Sequence, residues 1–252
     1  MSRLSGKVAI VTGGARGIGA AFSEALAANG AEVVVADVLD GAAVVERIKA
    51  AGGRAIYCKT DVSDRASVTA LATQVASECG SIDILVNNAA IFASLVKKPF
   101  FEIESEEWDK LMAVNVRGPF ECARAVAPYM IASKSGRIIN IASGTAFKGV
   151  QGMLHYVTSK GAVVAMTRCL ARELGGHGIT VNAIAPGLTM SEAIADDPAW
   201  SGDAAQPTVK SRALQRDQLP EDLTGALVYL ASADSAFMTG QTMVVDGGAV
   251  MR

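Results

Sequence analysis

The sequence predicts an α/β protein, a parallel and doubly wound sheet in one domain spanning 1–252. Three observations lead there. An apolar run, Val8–Val11, is followed by the turn Thr12-Gly13-Gly14-Ala15-Arg16-Gly17-Ile18-Gly19 and then by a helical pattern from Ala20 to Asn29. That order of strand, glycine turn and helix opens a βαβ crossover. Apolar strand-like runs then alternate with helical stretches over short connections, the pattern of a parallel sheet covered on both faces. Finally, 50% of the residues are hydrophobic and only 5% aromatic, with abundant Gly and Ala, a composition suited to helices packed closely on a sheet.

The remaining elements follow in order. A second strand, Glu32–Ala36, ends at Asp37; a helix around Gly41–Ala51 leads to a third strand, Arg54–Lys59, closed by Asp61-Val62. Asp64–Cys79 reads as a helix capped by Ser63 or Asp64, and Ile82–Val86 as a fourth strand entering Asn87-Asn88-Ala89-Ala90. Trp108–Val116 is helical but interrupted by Asn115, and Pro119–Ser133 continues as helix. The run Arg137–Ala142 is a strand with Ser143 at its carboxyl end, Tyr156–Leu174 is a helix, Pro220–Ala231 is the last helix, and Met243–Val245 is a closing strand. Ligands of such sheets sit beyond the carboxyl ends of the strands, where Asp37, Asp61, Asn88 and Ser143 fall.

Charge and cysteine usage narrow the partners. A net charge of -2 offers no basic stripe for nucleic acid and no polybasic surface for a membrane. No apolar run approaches the ~20 residues of a membrane span, and the opening run at Lys7–Val11 is too short and early for a signal peptide; the expectation is a cytoplasmic protein. Cys58, Cys79, Cys122 and Cys169 lack ligand spacing, so neither a disulfide frame nor a metal site is expected.

Several residues carry chemistry. Backbone amides at the start of the first helix can receive a pyrophosphate, and glycines let the chain approach it. The glycines fall at 13, 17 and 19 rather than in the G-x-G-x-x-G spacing, and a plain tight turn is an equal reading of the loop alone. A carboxylate at Asp37 can accept from the ribose hydroxyls and would repel a 2′-phosphate, favouring NAD over NADP; Arg16 argues the other way. Tyr156 and Lys160 are one helical turn apart, so phenol and ammonium share a face. A neighbouring positive charge favours the phenolate, which makes Tyr156 a proton exchanger; the same spacing also fits a surface tyrosine beside a solvated lysine. Asn115 fits a cap or a kink before Gly118-Pro119, and a buried asparagine must find partners.

Taken together and in order, Thr12-Gly-x-x-x-Gly17-x-Gly19, Asp61, Asn87-Asn88-Ala89, Asn115, Ser143, Tyr156-x-x-x-Lys160 and Pro186-Gly187 resemble the classical short-chain dehydrogenases/reductases over nearly the whole chain. The resemblance implies a seven-stranded Rossmann-type sheet, a nicotinamide cofactor and a tetrad of Asn115, Ser143, Tyr156 and Lys160. It places the adenosine at Asp37, Asp61 and Val62, the pyrophosphate over Gly13, Arg16, Gly17 and Ile18, and the nicotinamide near Asn88, Ala89, Pro186, Gly187 and Thr189. Asn115 would bend its helix and hold a water leading to Lys160, while Lys160 contacts the nicotinamide ribose and lowers the Tyr156 pKa. Residues 188–218, rich in Asp, Ala, Ser and Pro around Trp200, would form a mobile lid. The two mostly apolar helices 119–133 and 156–174 would be buried in a homotetramer. Ala90 replaces the usual glycine, and Ser191 the usual threonine.

The resulting expectation is an NAD-dependent oxidoreductase acting on an apolar or aryl secondary alcohol or ketone. Ile91, Phe92, Gly144, Thr145, Phe147, Gln151, His155, Leu188 and Trp200 would surround the substrate, with no cationic partner for an acidic one. An NADP-dependent 3-ketoacyl-carrier-protein-type reductase is the alternative, disfavoured by His177, where that branch tends to carry arginine. A non-catalytic cofactor sensor or scaffold is the alternative of another class.

Overall fold

Side-chain alternation decides how the chain layers. The protein is described by a computed structural model covering residues 2–251, so positions 1 and 252 of the predicted domain lie outside the described residues. Its elements are β1 (Val8–Thr12), α1 (Gly17–Ala28), β2 (Glu32–Asp37), α2 (Ala42–Ala50), β3 (Arg54–Lys59), α3 (Arg65–Cys79), β4 (Ile84–Asn87), α4 (Ser105–Met112), α5 (Gly118–Ser133), β5 (Gly136–Ile141), α6 (Thr145–Lys148), α7 (Leu154–Leu174), β6 (Ile179–Pro186), α8 (Glu192–Ala195), α9 (Gln206–Lys210), α10 (Thr224–Ala231) and β7 (Thr242–Val245). Successive strand residues point to opposite faces. Ala9, Val11, Val33 and Val35 therefore pack with α1, α2 and α10, while Val8, Ile10, Val34 and Ala36 pack with α3, α5 and α7. Each fully buried valine or isoleucine contributes about 1.5–3 kcal/mol.

All strands pair in parallel in the order β3-β2-β1-β4-β5-β6-β7. This is the predicted single-domain Rossmann-type arrangement. The chain reverses its direction of winding between β1 and β4, which opens a crevice at their carboxyl ends. Thr12 fixes that point: its hydroxyl donates to Val86 O (3.2 Å) and accepts from the amides of Asn88 (3.0 Å) and Ala89 (3.1 Å). The Asn88 side chain donates back to the carbonyls of Thr12 and Gly13, both at 3.0 Å.

Several boundaries differ from the sequence expectation, among them the starts of the helices at Leu154 and Thr224. The first helix begins at Gly17 rather than Ala20, so its opening turn belongs to the glycine loop. The fourth strand begins at Ile84, because the Asp83 carboxylate is engaged by the Val8 amide (3.0 Å) and Lys7 (2.8 Å). The sixth strand is Ile179–Pro186, second from the edge of the sheet and wholly buried, which the residues alone did not delineate. Asn115 lies in a π-turn, Ala113–Arg117, joining α4 to α5.

Candidate active site

A cleft of about 540 Å³ runs across the carboxyl ends of the strands. Gly13, Arg16, Gly17, Ile18, Gly19, Asp37, Asp61, Val62, Asn88, Ala89, Ser143, Tyr156, Lys160, Pro186, Gly187 and Thr189 all line it. Asn115 does not: it is 1% exposed and sits behind the wall.

The cleft fits a dinucleotide in shape and in chemistry. Arg16 precedes α1 with its side chain exposed and supplies no capping hydrogen bond, so the first-turn amides at Gly17, Ile18 and Gly19 have no side-chain acceptor at the cleft edge. Such an end receives anionic oxygens. Gly17 has φ +55, and a Cβ at Gly19 would fall 1.9 Å from Gly13 O, so a side chain there would displace the loop. At the far end Asp37 is buried, and its two carboxylate oxygens accept the Ala15 and Leu39 amides, both at 3.0 Å. The carboxylate thus knits the glycine turn to the end of β2 while lining the cleft. Ser191 closes the opposite side, its Cβ 3.1 Å from where a Gly17 side chain would begin. Ala90 adds its methyl to the cleft wall.

At the other end, Ser143, Tyr156 and Lys160 converge, each less than 10% exposed. Ser143 follows β5, and its oxygen accepts from the Thr145 amide (3.2 Å) and hydroxyl (3.0 Å), which orient it. Burial pushes the Tyr156 phenol up to about 12, opposed by a hydrogen bond with Ser143. Burial also lowers the Lys160 ammonium to about 8; it donates to Ile141 O at 2.8 Å and lies 5.7 Å from the Tyr156 ring centroid. The phenol is thus raised by burial, and the group that opposes the rise is Ser143 rather than the expected Lys160.

Asn115 acts on this group from behind. Its Oδ1 accepts the Ile91 amide (2.8 Å), and its Nδ2 donates to Ile91 O (3.2 Å) and to Ser159 Oγ (3.3 Å). Ser159 in turn donates to Tyr156 O at 2.7 Å. The π-turn is thereby tied to α7 and to the loop after β4. This asparagine orients neighbours, and its side-chain groups face protein partners.

Residues 188–218 are organised around Trp200. That ring is 6% exposed and packs 4.9 Å from Phe92, which packs 4.9 Å from Tyr156. The segment is pinned at its base: Arg212 donates to Leu188 O (2.6 Å) and Arg216 O (2.7 Å), and Gln218 donates to Val245 O (2.6 Å).

Of the residues expected around the substrate, Ile91, Phe92, Gly144, Thr145, Leu188 and Trp200 line the cleft; Phe147, Gln151 and His155 do not. Phe147 packs toward Val163 and Val244 on the far side, Gln151 is exposed, and His155 is buried with Nε2 3.2 Å from Glu107 Oε1. Val150 and Met153 line the cleft in their place. Lys97 and Lys148, not expected among the surrounding residues, also line the cleft. Asp246 was not anticipated either. It is buried in the cleft lining, accepts the Gly248 (3.0 Å) and Ala249 (3.1 Å) amides, and underlies Gly144 and Gly187. Among the described residues no helix is long and apolar enough to cross a membrane, and no His/Cys/Asp/Glu group could hold a metal ion.

Comparison with known proteins gives consistent matches. Residues 13–250 match the family described as Enoyl-(Acyl carrier protein) reductase. The chain is 41% identical to galactitol 2-dehydrogenase of Agrobacterium fabrum, covering 98% of each. It is 38% identical to the 3-oxoacyl-[acyl-carrier-protein] reductase of Synechocystis, covering 100% of each. A solved structure from Beutenbergia cavernae, provisionally described as an NAD(P)-dependent gluconate 5-dehydrogenase with NADP bound at low occupancy, superposes with a TM-score of 0.91 at 34% identity. That match covers 98% of this chain and 97% of the other.

Proposed function

The chain belongs to the classical short-chain dehydrogenase/reductase family of oxidoreductases, and from that premise we propose that it is an NAD-dependent enzyme interconverting a secondary alcohol and a ketone. The observation that carries the reading is one cleft with Asp37 at one end and Ser143, Tyr156 and Lys160 at the other. When bound, the nicotinamide supplies the hydride donor or acceptor. Gly13 to Gly19 hold the pyrophosphate, Asp37, Asp61 and Val62 the adenosine ribose and base, and Asn88, Ala89 and Thr189 the nicotinamide. Ser143 orients the substrate oxygen and Tyr156 exchanges its proton. Lys160 supports the tyrosine and the ribose, and Asn115 positions α7. With its phenol pushed up to about 12 by burial, Tyr156 stands protonated at neutral pH, the form that donates to a carbonyl.

Asp37 supports NAD, since a 2′-phosphate would meet its charge; Arg16, exposed and lining the same cleft, the NADP in the Beutenbergia structure and the carrier-protein reductases among the relatives support the second reading, an NADP-dependent ketoacyl reductase. The galactitol 2-dehydrogenase relative supports a secondary carbinol, and Ile91, Phe92, Val150, Met153, Leu188 and Trp200 support an apolar or aryl body. Four unpaired thiols support a reducing, cytoplasmic location. Exposed Phe120 and Tyr129 on α5 and Leu154 on α7 support the homotetramer. Residues 188–218 serve as the substrate lid.

The test is a paired turnover assay with NAD(H) and NADP(H) on apolar, aryl and polyol substrates, for the wild type and Tyr156→Phe. Turnover with NAD that drops roughly 10²- to 10⁴-fold in the variant is expected. Retained turnover in the variant would refute the proton-transfer role, and an NADP preference in the wild type would put the second reading first.

A further inference from the structure

Resting on that reading, we infer that the substrate carries an anionic end group, a carboxylate held by Lys97 and Trp200, with Lys148 lining the same cleft. The aromatic series Tyr156, Phe92, Trp200 marks the path, each step 4.9 Å between centroids. At its outer end the Lys97 ammonium sits 4.2 Å from the Trp200 ring centroid. A cation over an indole is held at a defined position, and its N–H bonds remain free for an anion.

Two further observations point to an acceptor from outside the chain. The Trp200 indole nitrogen is buried and has no hydrogen-bond partner among the described residues. An indole can only donate, and an unsatisfied buried donor costs about 1–3 kcal/mol. A substrate oxygen would satisfy it once a shift of the Trp200 segment uncovers the nitrogen, which its neighbours enclose in the structure. Neither Lys97 nor Lys148, both exposed at the cleft, makes an ion pair among the described residues. The fold brings their segments together: the Lys98 amide donates to Gly152 O at 3.1 Å, and Gly152 lies against Lys97, just past the turn that follows Lys148.

The carboxylates of the cleft lie elsewhere. Asp37 and Asp61 follow β2 and β3, Asp246 underlies Gly144 and Gly187, and Glu192 adjoins Ser191 against Gly17. At the Trp200 rim Lys97 and the indole offer donors and the nearby Asp197 carboxylate is engaged by the Ala199 amide at 2.8 Å, while the wall between the rim and Tyr156 is apolar. A keto or hydroxy acid with an apolar body and a carboxylate remote from the reacting carbon matches both halves.

The experiment uses matched ketones differing only at the remote end, carboxylate against methyl ester, assayed with NADH and NADPH for the wild type, Lys97→Met, Lys97→Arg and Trp200→Phe. The expected wild-type preference in kcat/KM is tenfold or more for the acid. It should fall toward one in Lys97→Met, survive in Lys97→Arg, and shrink through KM in Trp200→Phe. The acid's KM should rise with salt while the ester's does not. Esters reduced as well as acids, or a preference that Lys97→Met leaves intact, overturn the inference while leaving the reductase reading standing. Failure of every ketone with both cofactors overturns the reading and the inference together. A phosphate monoester in place of the acid forms a third arm; if it outperforms the carboxylate, the assignment of the end group is wrong.

Discussion

Replacing Lys160 by methionine should cut turnover severely and yet stabilise the protein. The ammonium is 3% exposed with one protein hydrogen bond, to Ile141 O at 2.8 Å. Burial takes its pKa from an ordinary 10.5 to about 8. At about 1.4 kcal/mol per pH unit, holding the charged form inside the fold costs about 3 kcal/mol. Methionine removes that penalty and fills a similar volume; loss of the hydrogen bond returns about 1 kcal/mol. The variant should therefore be more stable at pH 7 by about 2 kcal/mol, with a Tm raised by roughly 4–8 °C. The sign changes with pH in a defined way. Between the folded value near 8 and the unfolded value near 10.5, the folded wild type has released the proton that its unfolded chain still binds. Its stability therefore rises with pH, and the advantage of the variant closes over that window. Urea unfolding of both proteins at pH 7 and above pH 9 measures the gap. A variant less stable at pH 7, or a gap independent of pH, would refute the assignment of Lys160 as a buried charge held at a cost. The same variant should lose roughly 10²- to 10³-fold in kcat, as for removal of one preorganised electrostatic group.

Two further outcomes follow from the geometry. Gly19→Ala would drive a Cβ into Gly13 O, so the variant should bind NADH at least tenfold more weakly in a fluorescence titration; unchanged affinity would remove the loop from the binding site. Asn115→Ala strips the Ile91 amide of its acceptor in a buried setting and should lower stability by about 1–3 kcal/mol in denaturant unfolding, with kcat reduced more than KM is raised.

What the sequence made legible depended on whether the signal was local. Strands such as Glu32–Ala36 announce themselves because both faces are buried and the run is unbroken. The strand Ile179–Pro186 hides because Thr180, Asn182 and Pro186 interrupt it; Asn182 earns its place by donating to Met238 O (2.7 Å) and accepting the Gln241 amide (3.1 Å), which steers the chain into β7. Ser143, Tyr156 and Lys160 were legible as an ordered motif, and the fold brings them to one end of the cleft. Lys97 and Lys148 were not, since fifty-one positions separate them and their segments meet through tertiary contacts such as that between Lys98 and Gly152. His155 was misplaced for a simpler reason. Adjacent helical residues point about 100° apart, so the neighbour of Tyr156 faces Glu107 rather than the cleft.

The buried indole at the end of the aromatic series also gives the molecule an optical handle. The chain has two tryptophans, and only Trp200 lines the cleft, whereas Trp108 stands on α4. In a Trp108→Phe background all indole emission would come from the wall of the site. Quenching would then report a substrate against the ring, and energy transfer to a reduced nicotinamide would report the dinucleotide, so the order in which the two ligands arrive could be read from a single mixing trace without any added label.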